Sequence, residues 1–324
     1  MIGEVAQPKF KRLRPRRTED KRRFRREARE LFAKCVLAAA ALSSILITVT
    51  IVVVLVWESS SFFGDGEVTA SGFLFGFHHG HWETRWAPLI DSTKHCIWPL
   101  VTATLVTTAI ALAVALPVGT TVALYLSEFA HHSVREAIKP SLELLSAVPT
   151  VVYGYFALTF VSPLLQMVIP GLPPANMLSA GLVMGIMIIP YVSSLSEDAM
   201  RSVPMLLREG SYALGANKFV TAWRVVVPSA LSGIGAAYIL GISRAIGETM
   251  IVALAAGNIP RLTLNPLDQA QTITAYIVAT SQGETPRGTI GYQSIFAAGL
   301  VLFAITFVFN VFGYWLRRRY HQAY

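Results

Sequence analysis

The chain is 324 residues long, 53% hydrophobic and only 14% charged, with a mean hydropathy of +0.52. Soluble domains carry about a quarter charged residues, so a water-soluble globular fold is excluded and an integral membrane protein is expected. The net charge of +8 sits wholly in residues 1–34, which hold 13 Lys/Arg against 5 acidic residues. No aromatic or zinc-finger framework accompanies that basic stretch, so it indicates anionic lipid rather than nucleic acid.

In chain order, Thr18–Lys34 reads as an amphipathic helix lying along the membrane surface. Six apolar stretches then have the roughly 20 residues needed to span a bilayer as helix. They run Lys34–Trp57, Ile97–Leu126, Leu142–Ile169, Met177–Leu195, Pro228–Gly257 and Tyr292–Leu316. The expected architecture is therefore all-α, with six transmembrane helices. The expected division is 1–33 as a basic segment, 34–96 as a first span with a long loop, 97–316 as a helical core, and 317–324 as a basic tail. The first span with its loop Glu58–His95 is expected as a peripheral addition to one helical bundle, and a short helix is expected around Gln269–Ala279. Pro117, Pro149 and Pro190 fall inside spans and predict kinks, because each removes a backbone donor.

Short loops on one side carry Arg135, Lys139, Arg201, Arg208, Lys218, Arg224 and Arg317–Arg319. On the other side, Arg85, Lys94, Arg261 and Arg287 are balanced by acidic residues. The bias of basic loops toward the cytoplasm places both termini inside. Cys35 begins the first apolar stretch and Cys96 is expected near the opposite membrane face, which leaves no disulfide or metal framework. His78, His79 and His81 crowd the first outer loop, but without fixed helical spacing or an acidic ligand set they read as a solvated loop, and no metal is expected.

Between the fourth and fifth spans, 202–224 reads as a helical hairpin. Ser202 is expected to cap a helix with Pro204 in its first turn, Gly215 to end it in the left-handed conformation, and Asn217 to cap the next short helix. Leu206, Leu207 and Tyr212 give the first helix an apolar side, and Arg208 and Glu209 a polar one. In the fifth span Arg244 lies 16 residues past Pro228, about 24 Å along a helix, deep in the membrane. Such a charge needs a partner or a wet cavity. Glu248, one turn on, is the expected partner on the same face. Two readings stay open: a salt bridge that fixes helix orientation, or a guanidinium that meets an oxyanion in transit. Ser229, Gly233, Ala237, Gly241 and Ala245 form a small-residue ridge for close approach of another helix.

Glu209, Gly210, Ser211 and Gly215, followed by Val225, Val227 and Pro228, resemble the coupling loop of permease subunits in ATP-binding-cassette importers. Gly210 and Ser211 stand where that family usually has alanines. Arg244-Ala-Ile-Gly-Glu-Thr-Met250 with Gly257-Asn258, and Ser146-Ala-Val-Pro-Thr-Val-Val-Tyr-Gly-Tyr-Phe156, are similar to the phosphate permeases of the PstC type. The likeness runs over about Ile97–Arg319. It implies a type I importer bundle that translocates inorganic phosphate, paired with a PstA-type permease, a PstB-type ATPase dimer and a PstS-type binding protein. It also implies Arg244, Glu248 and Thr249 on the substrate path, and Glu209, Gly210, Ser211, Gly215 and Pro228 in coupling. No Gly-x-x-x-x-Gly-Lys-Ser/Thr loop is present, so no cofactor is expected on this chain, and ATP and Mg would be used by the partner ATPase. A sulfate or molybdate permease and an ATPase-independent carrier remain the rival readings.

Overall fold

The computed structural model describes residues 17–64, 68–78, 81–82, 84–91, 93–283 and 285–320. The chain divides into a unit ending at Val54 and a second running from Leu55 to Tyr324. Helix α1 spans Arg17–Gly64, and its part up to Val54 is all that is described of the first unit. It passes residues 33 and 34 without a break. No Gly or Pro lies between Arg17 and Trp57 to interrupt its hydrogen-bond ladder, so the expected separate surface helix is the first part of one long helix.

In the second unit follow α2 (Ala70–Phe75), a two-stranded hairpin β1 (Phe77–His78) and β2 (His81–Trp82), then α3 (Trp98–Phe129) and α4 (His132–Ala147). After them come α5 (Thr150–Val168), α6 (Met177–Arg201), α7 (Met205–Ala213) and α8 (Lys218–Ser229). The chain ends with α9 (Leu231–Ile246), α10 (Met250–Ala255), α11 (Ile273–Gln282) and α12 (Ile290–Tyr320). Among the described residues five helices are long and apolar enough to cross a membrane. The count is six if α8 and α9, bent by 69°, form one span.

Two expected spans are divided. Leu142–Ile169 breaks at Val148 and Pro149, both extended, because a residue before proline is pushed out of the helical region. Pro149 therefore starts a helix instead of kinking one, while Pro117 and Pro190 do lie within helices. Pro228–Gly257 breaks twice, at Ala230 and at Gly247–Thr249. Five-residue π-turns at Tyr125–Phe129 and Ala222–Val226 widen α3 and α8 near their ends, the second of them just before Pro228.

The core lies where α3, α5, α6, α9 and α10 meet, around Ala111, Tyr153, Met184, Ile188, Ala245 and Ile251. The helices approach closely because glycines and alanines face large residues. A Cβ at Gly185 of α6 would lie 2.8 Å from the carbonyl oxygen of Ala111 in α3, and one at Gly233 would collide with the Cβ of Ala199. The small-residue ridge on α9 thus packs against α6.

The segment 58–96 is not peripheral to this bundle. Phe62, Phe73 and Trp86 form a second core with Leu100, Ile273, Tyr276 and Ala298, and Trp86 meets Tyr276 edge to face at 5.1 Å. Its Ala87–Lys94 turn is held by Asp91, which accepts from the Thr93 hydroxyl at 2.6 Å and pairs with Lys94 at 2.9 Å. Those hydrogen bonds keep the Asp91 carboxyl well below the usual carboxylate range. The short helix expected near Gln269–Ala279 is α11, started three residues later by the Thr272 cap. Of the three clustered histidines, His79 lies outside the described residues, and His78 pairs with His81 in the hairpin register.

Because the carbonyl opposite Gly185 is main chain and cannot swing aside, Gly185→Leu should destabilise the bundle by about 1–3 kcal/mol. Thermal unfolding in detergent reads this as a lowered midpoint.

Candidate substrate path and coupling site

Arg244 lies in the last turn of α9, about 20 Å along the helix from Leu231. The negative end of the helix dipole favours a cation there. Its guanidinium stacks over the ring of Tyr191 from α6, 4.1 Å from the centroid, and its Nη2 donates to the Met187 sulfur at 3.5 Å. Its Nε is buried without a hydrogen-bond partner.

The expected Arg244–Glu248 pair does not form. α9 ends at Ile246, and Gly247, the weakest helix former here, takes the chain out of the ladder. Glu248 is buried, and its Oε1 accepts from the amides of Met250 at 3.1 Å and Ile251 at 3.4 Å. The carboxylate thus caps α10 instead of neutralising the arginine. The Glu248 carbonyl accepts from the Thr274 hydroxyl of α11 at 2.7 Å, and the Thr249 hydroxyl donates to Gly247 at 3.2 Å. Side chains therefore replace the main-chain bonds lost at the break. What results is a guanidinium among helices with an aromatic face, a thioether and no carboxylate, beside an interrupted backbone. Such a site offers unused donors to an anion.

The hairpin follows its expected punctuation with one change. Ser202 closes α6, its hydroxyl donating to Ala199, and Pro204 precedes α7 in its place. Gly215 has φ +84°, its amide meets the Tyr212 carbonyl, and the Ala216 amide meets that of Ser211. These two bonds form the Schellman ending that only glycine adopts without strain. Asn217 caps α8 through the Val220 amide at 2.9 Å. Glu209 and Gly210 are exposed, Ser211 is hydrogen-bonded to Thr221 at 2.9 Å, and Pro228 sits beside the 69° bend. The coupling candidates therefore gather on one hairpin, apart from the Gly247–Thr249 break.

Several neighbours of these residues were not legible in the sequence. Tyr191 and Met187 sit in an apolar span like core residues, and only the packing of α6 on α9 assigns them to Arg244. Arg208, expected on a polar face, is buried and paired with Glu128 of α3 at 3.0 Å. An acidic residue closing an apolar span at Tyr125-Leu-Ser-Glu128 was the available signal. Glu197 of α6, fully buried, takes Arg135 of α4 at 2.6 Å.

Residues 115–322 match the family described as binding-protein-dependent transport system inner membrane component. The chain is 31% identical over 287 residues to the probable ABC transporter permease protein YqgH of Bacillus subtilis, covering 89% of this chain and 90% of that one. It is 32% identical over 303 residues to the phosphate transport system permease protein PstC of Xylella fastidiosa, covering 87% and 89%. In fold it is similar to a chain of a bacterial ABC transporter that imports the acidic polysaccharide alginate, with a TM-score of 0.61 at 16% identity, covering 92% of this chain and all of that one. A chain of the inward-facing MetNI methionine transporter gives 0.51 at 16% identity, covering 70% and 94%. The fold is that of type I importer permeases, all-α and multi-spanning, and places the chain in the inner or plasma membrane.

Because Glu248 caps α10, Glu248→Ala should cost about 1 kcal/mol of stability, and Glu248→Gln, which keeps an acceptor oxygen, much less. Parallel thermal unfolding of the two variants in detergent checks the order.

Proposed function

The chain belongs to the binding-protein-dependent family of ABC-importer permeases, transport components that work with an ATPase and a substrate-binding protein, and we propose that its cargo is inorganic phosphate. The observation that carries this reading is Arg244, a guanidinium inside the bundle without a carboxylate partner. A cation so placed is costly until an anion meets it. Its planar fork of donors suits a tetrahedral oxyanion. Relatives named as phosphate permeases in several bacteria, at 30–36% identity, support phosphate among the oxyanions.

In this reading both termini are cytoplasmic and the hairpin around α7 faces the cytosol. A PstB-type ATPase dimer receives exposed Glu209 and the apolar side of α7. A PstA-type permease completes the path, and a PstS-type protein delivers phosphate from outside. Nucleotide-driven closure of the ATPases moves the hairpin, and the helices that hold Arg244 change the side to which it opens. Thr249, in the interrupted backbone next to Glu248, lies on that path. Glu248 holds the break in shape through the α10 amides, a different task from neutralising Arg244.

Arg244→Gln should lower ATP-dependent phosphate uptake by about tenfold or more in proteoliposomes of the whole complex, since a charge-assisted hydrogen bond of about 1.5–3 kcal/mol is lost. Uptake at the wild-type rate would refute the role of Arg244. Sulfate or molybdate competing as well as unlabelled phosphate would refute the cargo. A cysteine at position 209 should crosslink to the ATPase, and crosslinking confined to other subunits would remove the coupling role of the hairpin.

A further inference from the structure

We propose that Arg208 is the joint through which movement of α7 enters the spanning helices. The proposal rests on the hairpin being the ATPase contact, and not on the identity of the cargo. Arg208 is the one buried residue of α7. Its neighbours offer little other anchorage, since Met205 is 59% and Leu206 79% exposed.

The guanidinium holds two spanning helices at once. Toward α3, Nη2 donates to Glu128 Oε1 at 3.0 Å and Nε to Oε2 at 3.4 Å. Toward the end of α6, Nη2 donates to the Met200 carbonyl at 2.9 Å and Nη1 to that of Val203. The Met200 carbonyl lies in the last turn of α6 and that of Val203 two residues past its end, where the helix dipole favours a cation. A fork of fixed geometry can bridge these acceptors, whereas an ammonium at the same place cannot reach all of them.

The alternatives for transmitting a push are weaker. Ser211 ties α7 to Thr221, but that is the other arm of the same hairpin. The covalent route through α8 turns by 69° before α9 begins. An open pocket of about 560 Å³, lined by Ser127, Met205 and Tyr212 together with the pair itself, flanks the Arg208–Glu128 contact on one side. The α6 route, in contrast, leads to the path itself. Tyr191 and Met187, which hold Arg244, lie on the same helix as Met200, with Tyr191 about 14 Å before it. Arg208 is thus a positioning residue: it acts on Arg244 through α6 and touches no cargo.

The test follows the opening of the path and not the cargo. In the assembled complex in nanodiscs, with Cys35 and Cys96 replaced by alanine, Thr249→Cys serves as a reporter. Its labelling by a soluble maleimide is compared without nucleotide and with ATP plus vanadate. The background protein should show a labelling ratio between the two states of about tenfold, and Arg208→Gln should reduce it to within about twofold of unity, with complex assembly followed by gel filtration. A residue that serves only stability would lower the yield of complex and leave the ratio in the surviving complex intact, which would overturn the proposal. Should Arg208→Gln fail to assemble, Glu128→Gln removes the charge of the joint while leaving the Met200 and Val203 bonds. It should reduce the ratio by about threefold, and an unchanged ratio would overturn the proposal. A background protein with no nucleotide response would remove the coupling reading itself, and the joint with it. A response retained in Arg208→Gln would remove the joint alone.

Discussion

Inside a bilayer no water is present to satisfy a main-chain N–H or C=O, so each helix interruption must be closed by some other group of the protein. Three interruptions in this chain show how that is met. At Gly247–Thr249 the Glu248 carboxylate takes the freed amides of Met250 and Ile251, and the Thr274 hydroxyl takes the Glu248 carbonyl. At Asn176 the side chain caps α6 through the Ser179 amide, while its own amide meets Ala255 at the end of α10. Near Pro149 the Tyr153 hydroxyl reaches back to the Leu145 carbonyl. Satisfying the backbone uses the polar side chains that a simpler helix would leave free for ion pairing.

That use of Glu248 leaves Arg244 with an aromatic and a sulfur for company. A cation–π contact compensates a guanidinium in part, about 0.5–2 kcal/mol, and leaves donors available. A full salt bridge would hold the charge in place but would also compete with a passing anion. The arrangement separates two tasks that a sequence pattern four residues apart suggests are one: the carboxylate shapes the break, and the arginine presents charge.

Two buried carboxylates are paired where spanning helices end. Glu197 binds Arg135 and Lys139, tying the amphipathic α4 to α6, and Glu128 binds Arg208, tying α7 to α3. Both carboxylates are buried, so removing a partner would leave an uncompensated charge, which is more costly than the net worth of the pair. Ion pairs of this kind specify geometry more than they add stability. Here the geometry is the attachment of two short polar helices to the ends of apolar spans, with α6 common to both.

The sequence by itself determined the class of protein, five of the six apolar spans and most of the punctuation of the hairpin. These follow from local quantities: hydropathy over about 20 residues, the left-handed preference of Gly215, and the capping oxygen of Asn217. It also singled out Arg244, because a charge in an apolar run is visible without coordinates. Only the tertiary structure decided who holds each charge. Whether Glu248 turns to Arg244 or to two amides depends on α9 ending at Ile246, and the Glu248 carbonyl freed there is taken by Thr274 from a distant helix. Periodicity treats a span as one cylinder, so it joined Leu142–Ile169 across Pro149 and set the first outer loop aside as peripheral. Trp86 against Tyr276, and Arg208 against Glu128, are contacts between residues 190 and 80 positions apart. A local pattern cannot encode them, because they are set by where helices cross and not by what lies beside each residue in the chain.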